Sequence, residues 1–213
     1  MRATSADAGT GVALSGAFAR FAGVGGLITG VSSVLYAVFF LLVKGQPHAV
    51  LPPLLLAIGG FFATAVTVAV YNRVRDADPI FALWALGLGL IGQLGATIHG
   101  VYGLALLNPA PAGAPNLTGL PNPLDPAGFL AFGVVGVSVF VFGWLIVRGG
   151  GLPRNLGYLG LVLGVLLVAL FLGALLAQSA TSPFILVPGG LASLLATPIW
   201  NICLGLIFLR ARG

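Results

Sequence analysis

Glutamate is absent from this 213-residue chain, and its only acids are Asp7, Asp76, Asp78 and Asp125. Charged residues of both signs make up 6% of the sequence, where soluble domains carry roughly 25%. A chain so poor in charge cannot clothe an ordinary water-soluble surface. None of the four acids falls inside an apolar run. Paired-carboxylate catalysis therefore has nothing to use, and ion-coupled transport lacks the buried carboxylates it usually needs. Cys203 is the single cysteine, which excludes an intrachain disulfide and a cysteine-based zinc site. His48 and His99 are the only histidines and form no His-x-x-x-His pair. A phosphate loop and a Ser-His-Asp set are also missing, so the expectation is a protein that is not an enzyme. Nine basic residues scattered over short segments make no stripe for nucleic acid.

What the chain does hold is apolar surface, at 59% of its residues. Uncharged apolar runs of about 20 residues are the signature of bilayer spans. Six occur, at about 21–43, 52–71, 80–107, 127–147, 156–177 and 184–209. They predict an all-α polytopic membrane helix bundle occupying 1–213 as one domain. Arg2 and Arg20 precede the first span, Arg73 and Arg75 separate the second from the third, and Arg148 and Arg154 the fourth from the fifth. Arg210 and Arg212 follow the sixth, and only Lys44 falls on the other side. By the positive-inside rule both termini are expected in the cytoplasm, in a bacterial inner membrane. The opposite side has a short loop at 43–51 and a proline-rich one at 108–126, expected as an extended cover. Asp125-Pro126 reads as a cap and first residue for span four. The last outer loop, with Phe184-Ile185-Leu186, is apolar enough to dip into the interface.

Spans one and five share a pattern. Arg20, Gly23, Gly26 and Gly30 can be laid on Arg154, Gly157, Gly160 and Gly164, as Arg-x-x-Gly-x-x-Gly-Leu-(Ile/Val)-x-Gly-Val. Glycines three and four apart fall on one helical face and let backbones approach closely in lipid. The pattern predicts two packing stripes and a duplicated hairpin, spans one and two repeated as five and six. These residues, the run Leu152-Pro153-Arg154-Asn155-Leu156-Gly157 and the pair Trp200-Asn201 before the terminal arginines resemble bacterial six-span membrane proteins of unknown function. The resemblance implies topology and no catalytic residues.

Polar residues inside the spans mark the candidate site. Span three carries Gly92–Gly103, with Gln93, Thr97 and His99 on the glycine side, opposite an apolar arc of Ile91, Leu94, Ile98 and Val101. An ionisable residue in a span is a functional-site hypothesis. A neutral imidazole here could ligate the metal of a haem or chlorophyll-type tetrapyrrole, or bond a hydroxyl or carbonyl on another span. Span one offers Thr29, Ser33 and Tyr36, span two Thr64, and span six Ser193, Thr197 and Asn201. Pro198 interrupts span six and is expected to act as a hinge that frees the carbonyl of Leu194. Two non-catalytic readings follow. The first is an accessory or structural subunit, packed by its glycine stripes against partner helices or a second copy, and holding lipid or pigment. The second is a channel or carrier for a neutral or apolar small molecule.

Overall fold

The computed structural model describes residues 15–42, 46–107, 129–149, 151–177 and 182–210. These form α1 (Gly16–Leu42), α2 (Gln46–Val74), α3 (Pro79–Ala105), α4 (Phe129–Val147), α5 (Arg154–Leu176), α6 (Pro183–Leu191) and α7 (Thr197–Arg210). A five-residue π-helical turn, Ala192–Ala196, joins α6 to α7 as one continuous rod. Five rods are long and apolar enough to cross a membrane: α1, α2, α3, α5 and the α6–α7 unit. The apolar part of α4, Ala131–Val147, is shorter. Its 19 residues rise roughly 28 Å, near the ~30 Å of bilayer hydrocarbon. The chain is a multi-pass helical protein with a membrane-compatible exterior.

That exterior is turned inside out relative to a soluble fold. Ile91, Ile98, Val162 and Leu175 are exposed, whereas Ala22, Ala69, Ala82 and Ala85 are fully buried. Large apolar side chains can face lipid at no cost, so small residues take the helix contacts. α3 divides as its periodicity predicts, with Gly89, Gly92, Ala96 and Gly100 buried and Ile91, Leu94, Ile98 and Val101 outward. Its start is set by Asp78, whose carboxylate accepts from the N–H of Phe81 at 3.2 Å, and by Pro79 in the first turn.

Two helix limits differ from expectation. α2 does not begin at Pro52-Pro53 but runs through them from Gln46, so most of the expected 43–51 loop is helical. Each proline forfeits one backbone donor, so two carbonyls of the first helical turn go without their usual i+4 partner while the helix continues. Phe184-Ile185-Leu186 is likewise not a loop but the first turn of α6. Ser182 caps it, accepting from the N–H of Phe184 at 3.4 Å, and Pro183 follows. The proline-rich segment with Asp125-Pro126 lies outside the described residues.

The rods form a closed ring in chain order: each packs on the next, and α7 returns to α1. The glycine stripes make two of these seams. A Cβ on Gly23 would lie 3.0 Å from the carbonyl of Gly205, and one on Gly30 3.2 Å from that of Pro198. Gly26 sits between them against the carbonyl of Asn201, at 2.7 Å. On α5, Gly157 and Gly164 meet the carbonyls of Gly143 and Gly136 at 2.9 and 2.7 Å, and Gly160 receives the ring of Trp200. Both stripes therefore seat their helix on the preceding rod of the ring. At the arginine-bearing end the interior is solid, filled by Val70, Val74, Leu145, Ile146, Leu204 and Phe208. There Phe81 meets Trp144 edge-on at 5.2 Å and the Arg148 guanidinium lies 4.6 Å from the Trp144 ring centre.

Candidate functional site

Small residues bring the six rods close at every seam, yet at the end away from the arginines they do not meet at the centre. A cavity of about 400 Å3 remains, with wall residues from every rod. α1 supplies Thr29, Ser32, Ser33, Tyr36 and Phe40; α3 supplies Gln93 and His99. Ser193 comes from the π-turn, and Thr197 and Asn201 from α7. The facing wall is apolar: Leu55 and Leu56 of α2, Phe132 and Val135 of α4, Leu167 and Leu170 of α5, and Ile185 of α6. No carboxylate, lysine or arginine stands among these described wall residues. The site is thus amphipathic, with His99 its one imidazole.

Hydrogen bonds orient the polar side. Thr29 donates to the carbonyl of Gly59 at 3.2 Å and Ser33 to that of Ser193 at 2.9 Å, each across a helix seam. Ser193 donates back to Gly189 at 2.5 Å, and the Asn201 side-chain N–H to Thr197 at 3.0 Å. A hydroxyl whose proton is committed to a carbonyl still offers lone pairs. These lone pairs stand beside groups that can also donate, the hydroxyls of Ser32, Tyr36 and Thr197 and the amides of Gln93 and Asn201. The wall suits a ligand whose head group both donates and accepts, as a hydroxyl does.

Ser193 owes its position to the π-turn. In a regular helix Pro198 would leave the Leu194 carbonyl without its donor. Here the ladder widens by one residue just before the proline, and the N–H of Thr197 reaches the carbonyl of Ala192. The expected hinge at Pro198 is thus a wide turn immediately ahead of a buried proline. π-turns of this kind concentrate at functional sites.

Not every polar residue singled out from the sequence reaches the cavity. Thr64 donates to Phe61 at 2.6 Å and Thr97 to Gln93 at 2.9 Å, each within its own helix, and neither is on the wall. The Thr97 hydroxyl instead abuts Gly60 of α2. Gly23, Gly26, Gly30, Gly157, Gly160 and Gly164 belong to seams. His99 is half-buried on the wall and interacts within the bundle. The side chain of His48 lies outside the described residues. Sequence reasoning missed Ser138 of α4, which is fully buried and donates to the carbonyl of Ala85 at 2.6 Å. The signal was there: it is the only hydroxyl in an otherwise apolar span. Comparison with protein-family models, curated proteins and solved structures finds no match to this chain.

Proposed function

We propose that this protein is a non-catalytic membrane protein that holds a neutral, hydroxyl-bearing amphiphile in the cavity of its helix ring. The observation that carries the reading is the division of the wall. Polar groups on α1, the π-turn and α7 would take the head group, and leucines, isoleucine and phenylalanine on the facing rods would take the chain. At about 400 Å3 the cavity is near the lower end of the roughly 300–1,000 Å3 typical of small-molecule sites. That size favours a single-chain alcohol over a tetrapyrrole, for which His99 would be the one imidazole on the wall.

In this reading all six rods cross the bilayer of a bacterial inner membrane, with the arginine-bearing end and both termini in the cytoplasm. The cavity then lies in the outer half. The duplication of spans one and two as five and six rests on the sequence pattern, since the α1 stripe meets the last rod and the α5 stripe meets α4, at seams outside the repeat. Those seams also weaken the accessory-subunit reading, because the stripes that would have met partner helices are used within the chain. The packed arginine-bearing end favours holding over a channel.

Photolabelling tests the proposal, with a diazirine-bearing 1-dodecanol and the purified protein in liposomes. Saturable labelling of cavity residues is expected, reduced about tenfold, or 1.4 kcal/mol, in Asn201→Leu. Unsaturable labelling confined to lipid-facing residues such as Ile91 and Val162 would sink it. A visible absorption band on the purified protein that vanishes in His99→Leu would establish the tetrapyrrole instead.

A further inference from the structure

How a ligand reaches the cavity depends on which seam of the ring is open, and five of the six are shut at the cavity end. Gly100 of α3 lies against the carbonyl of Pro53 of α2, and a Cβ on Gly95 would be 3.3 Å from Ala131 of α4. Gly133 of α4 receives the ring of Phe171 of α5, and Gly173 of α5 lies against the carbonyl of Phe184 of α6. Thr29 and Ser32 of α1 close on Gly59 of α2. The sixth seam is different. α1 meets the last rod through the π-turn and α7, and among the described residues it makes no extensive packing interface with α6.

Exposure locates the same gap independently. Among the described wall residues the two most exposed are Phe40 at 45% and Leu186 at 41%. They stand on α1 and α6, the two elements that lack an extensive interface. Phe40 stacks on Tyr36 with ring centres 5.6 Å apart, which holds it along the α1 edge. On the α6 edge, Gly190 lines the cavity, and a Cβ there would meet nothing within 4 Å. The opening is flanked by apolar side chains.

We propose that the cleft between α1 and α6, flanked by Phe40 and Leu186, is a lateral portal through which a membrane-dissolved alcohol enters the cavity from the bilayer. The proposal rests on the ligand-holding reading and adds a route: the polar head passes the Tyr36–Phe40 edge to the polar wall while the chain remains in apolar surroundings throughout. Its ligands are accordingly long-chain alcohols already partitioned into the leaflet away from the arginine-bearing end.

The test is the time course of photolabelling by the diazirine-bearing 1-dodecanol, with the full chain in liposomes and the probe added from donor vesicles. Gly190→Trp fills the portal from a position with room for a side chain, and it is expected to slow cavity labelling about tenfold, as a barrier increase acts on rates before affinity. Phe40→Ala widens the opposite edge and is expected to quicken it. Wild-type rates in both variants would overturn the portal while leaving the cavity as a binding site. No cavity labelling of the wild-type protein at any time would overturn the ligand-holding reading, and the portal with it.

Discussion

Single residues in this bundle matter through the backbone they allow near them. Gly26 and Gly87 are both helical glycines, yet their surroundings differ completely. A Cβ on Gly26 would lie 2.7 Å from the Asn201 carbonyl and 2.9 Å from the Gly205 Cα, so α1 and α7 would have to separate. One on Gly87 would meet nothing within 4 Å. Gly26→Ala is therefore expected to destabilise by about 1–3 kcal/mol, the usual cost of overpacking. Gly87→Ala is expected to stabilise by about 0.5–1 kcal/mol through lower chain entropy. Thermal unfolding of both in the same detergent checks the pair, and equal melting temperatures would refute it. Ser138 is the polar counterpart. Its hydroxyl spans the α3–α4 seam to Ala85, and interhelical bonds of this kind in membranes average roughly 0.6 kcal/mol. Ser138→Ala should lower stability by that order and leave the cavity's affinity for the alcohol unchanged, since Ser138 is not on its wall.

Among the elements, the last rod is the one that a regular helix could not replace. Its π-turn pairs the N–H of Thr197 with the carbonyl of Ala192 ahead of Pro198 and sets Ser193 opposite Ser33. Returning one N–H through Pro198→Ala removes the reason for the wide turn. The segment is expected to tighten into α geometry, turning Ser193 by about 100° away from Ser33. Hydrogen exchange over 192–198 should slow as the ladder completes, and alcohol binding should fall. Unchanged exchange would mean that the neighbouring seams, and not the proline, impose the π-turn. α2 offers the contrast, since it carries Pro52 and Pro53 without a break. There the prolines fall near the helix start and close to α3, where Gly100, lacking a Cβ, leaves room for the Pro53 carbonyl.

Across the described residues the bundle has two unlike ends. One end is plugged by side chains such as Leu204 and Phe208 that are wholly buried, and the other holds the cavity. Removing Phe208 leaves a hole in the plug and not in the binding wall. Phe208→Ala is accordingly expected to cost about 3–5 kcal/mol of stability while cavity labelling of the folded fraction persists. Loss of labelling in protein shown to be folded would mean that the two halves are coupled. Orientation is checked separately: a fluorescent protein fused after Gly213 should fluoresce and a periplasmic phosphatase at the same site should stay inactive. The reverse pattern would place the cavity on the cytoplasmic side.

Helical spans, their number to within the shorter α4, and the small-residue faces of spans one, three and five were legible in the sequence. Those properties arise from local rules: a bilayer of given thickness demands uncharged runs, and a repeat of about 3.6 residues puts Gly23, Gly26 and Gly30 on one side. The polar residues of the wall were also visible, but Thr64 and Thr97 looked the same as Thr29 and Ser33. Whether a hydroxyl bonds its own turn or a neighbouring helix depends on where that neighbour lies. Only the tertiary structure decided that the stripes close seams within the chain, that α1 and α6 make no extensive interface, and that six rods enclose a cavity. The physical reason is that lipid is as apolar as leucine. Hydrophobicity can place a helix in the membrane but cannot choose its partner, and that choice is made by backbone shape across residues as distant as Gly23 and Gly205.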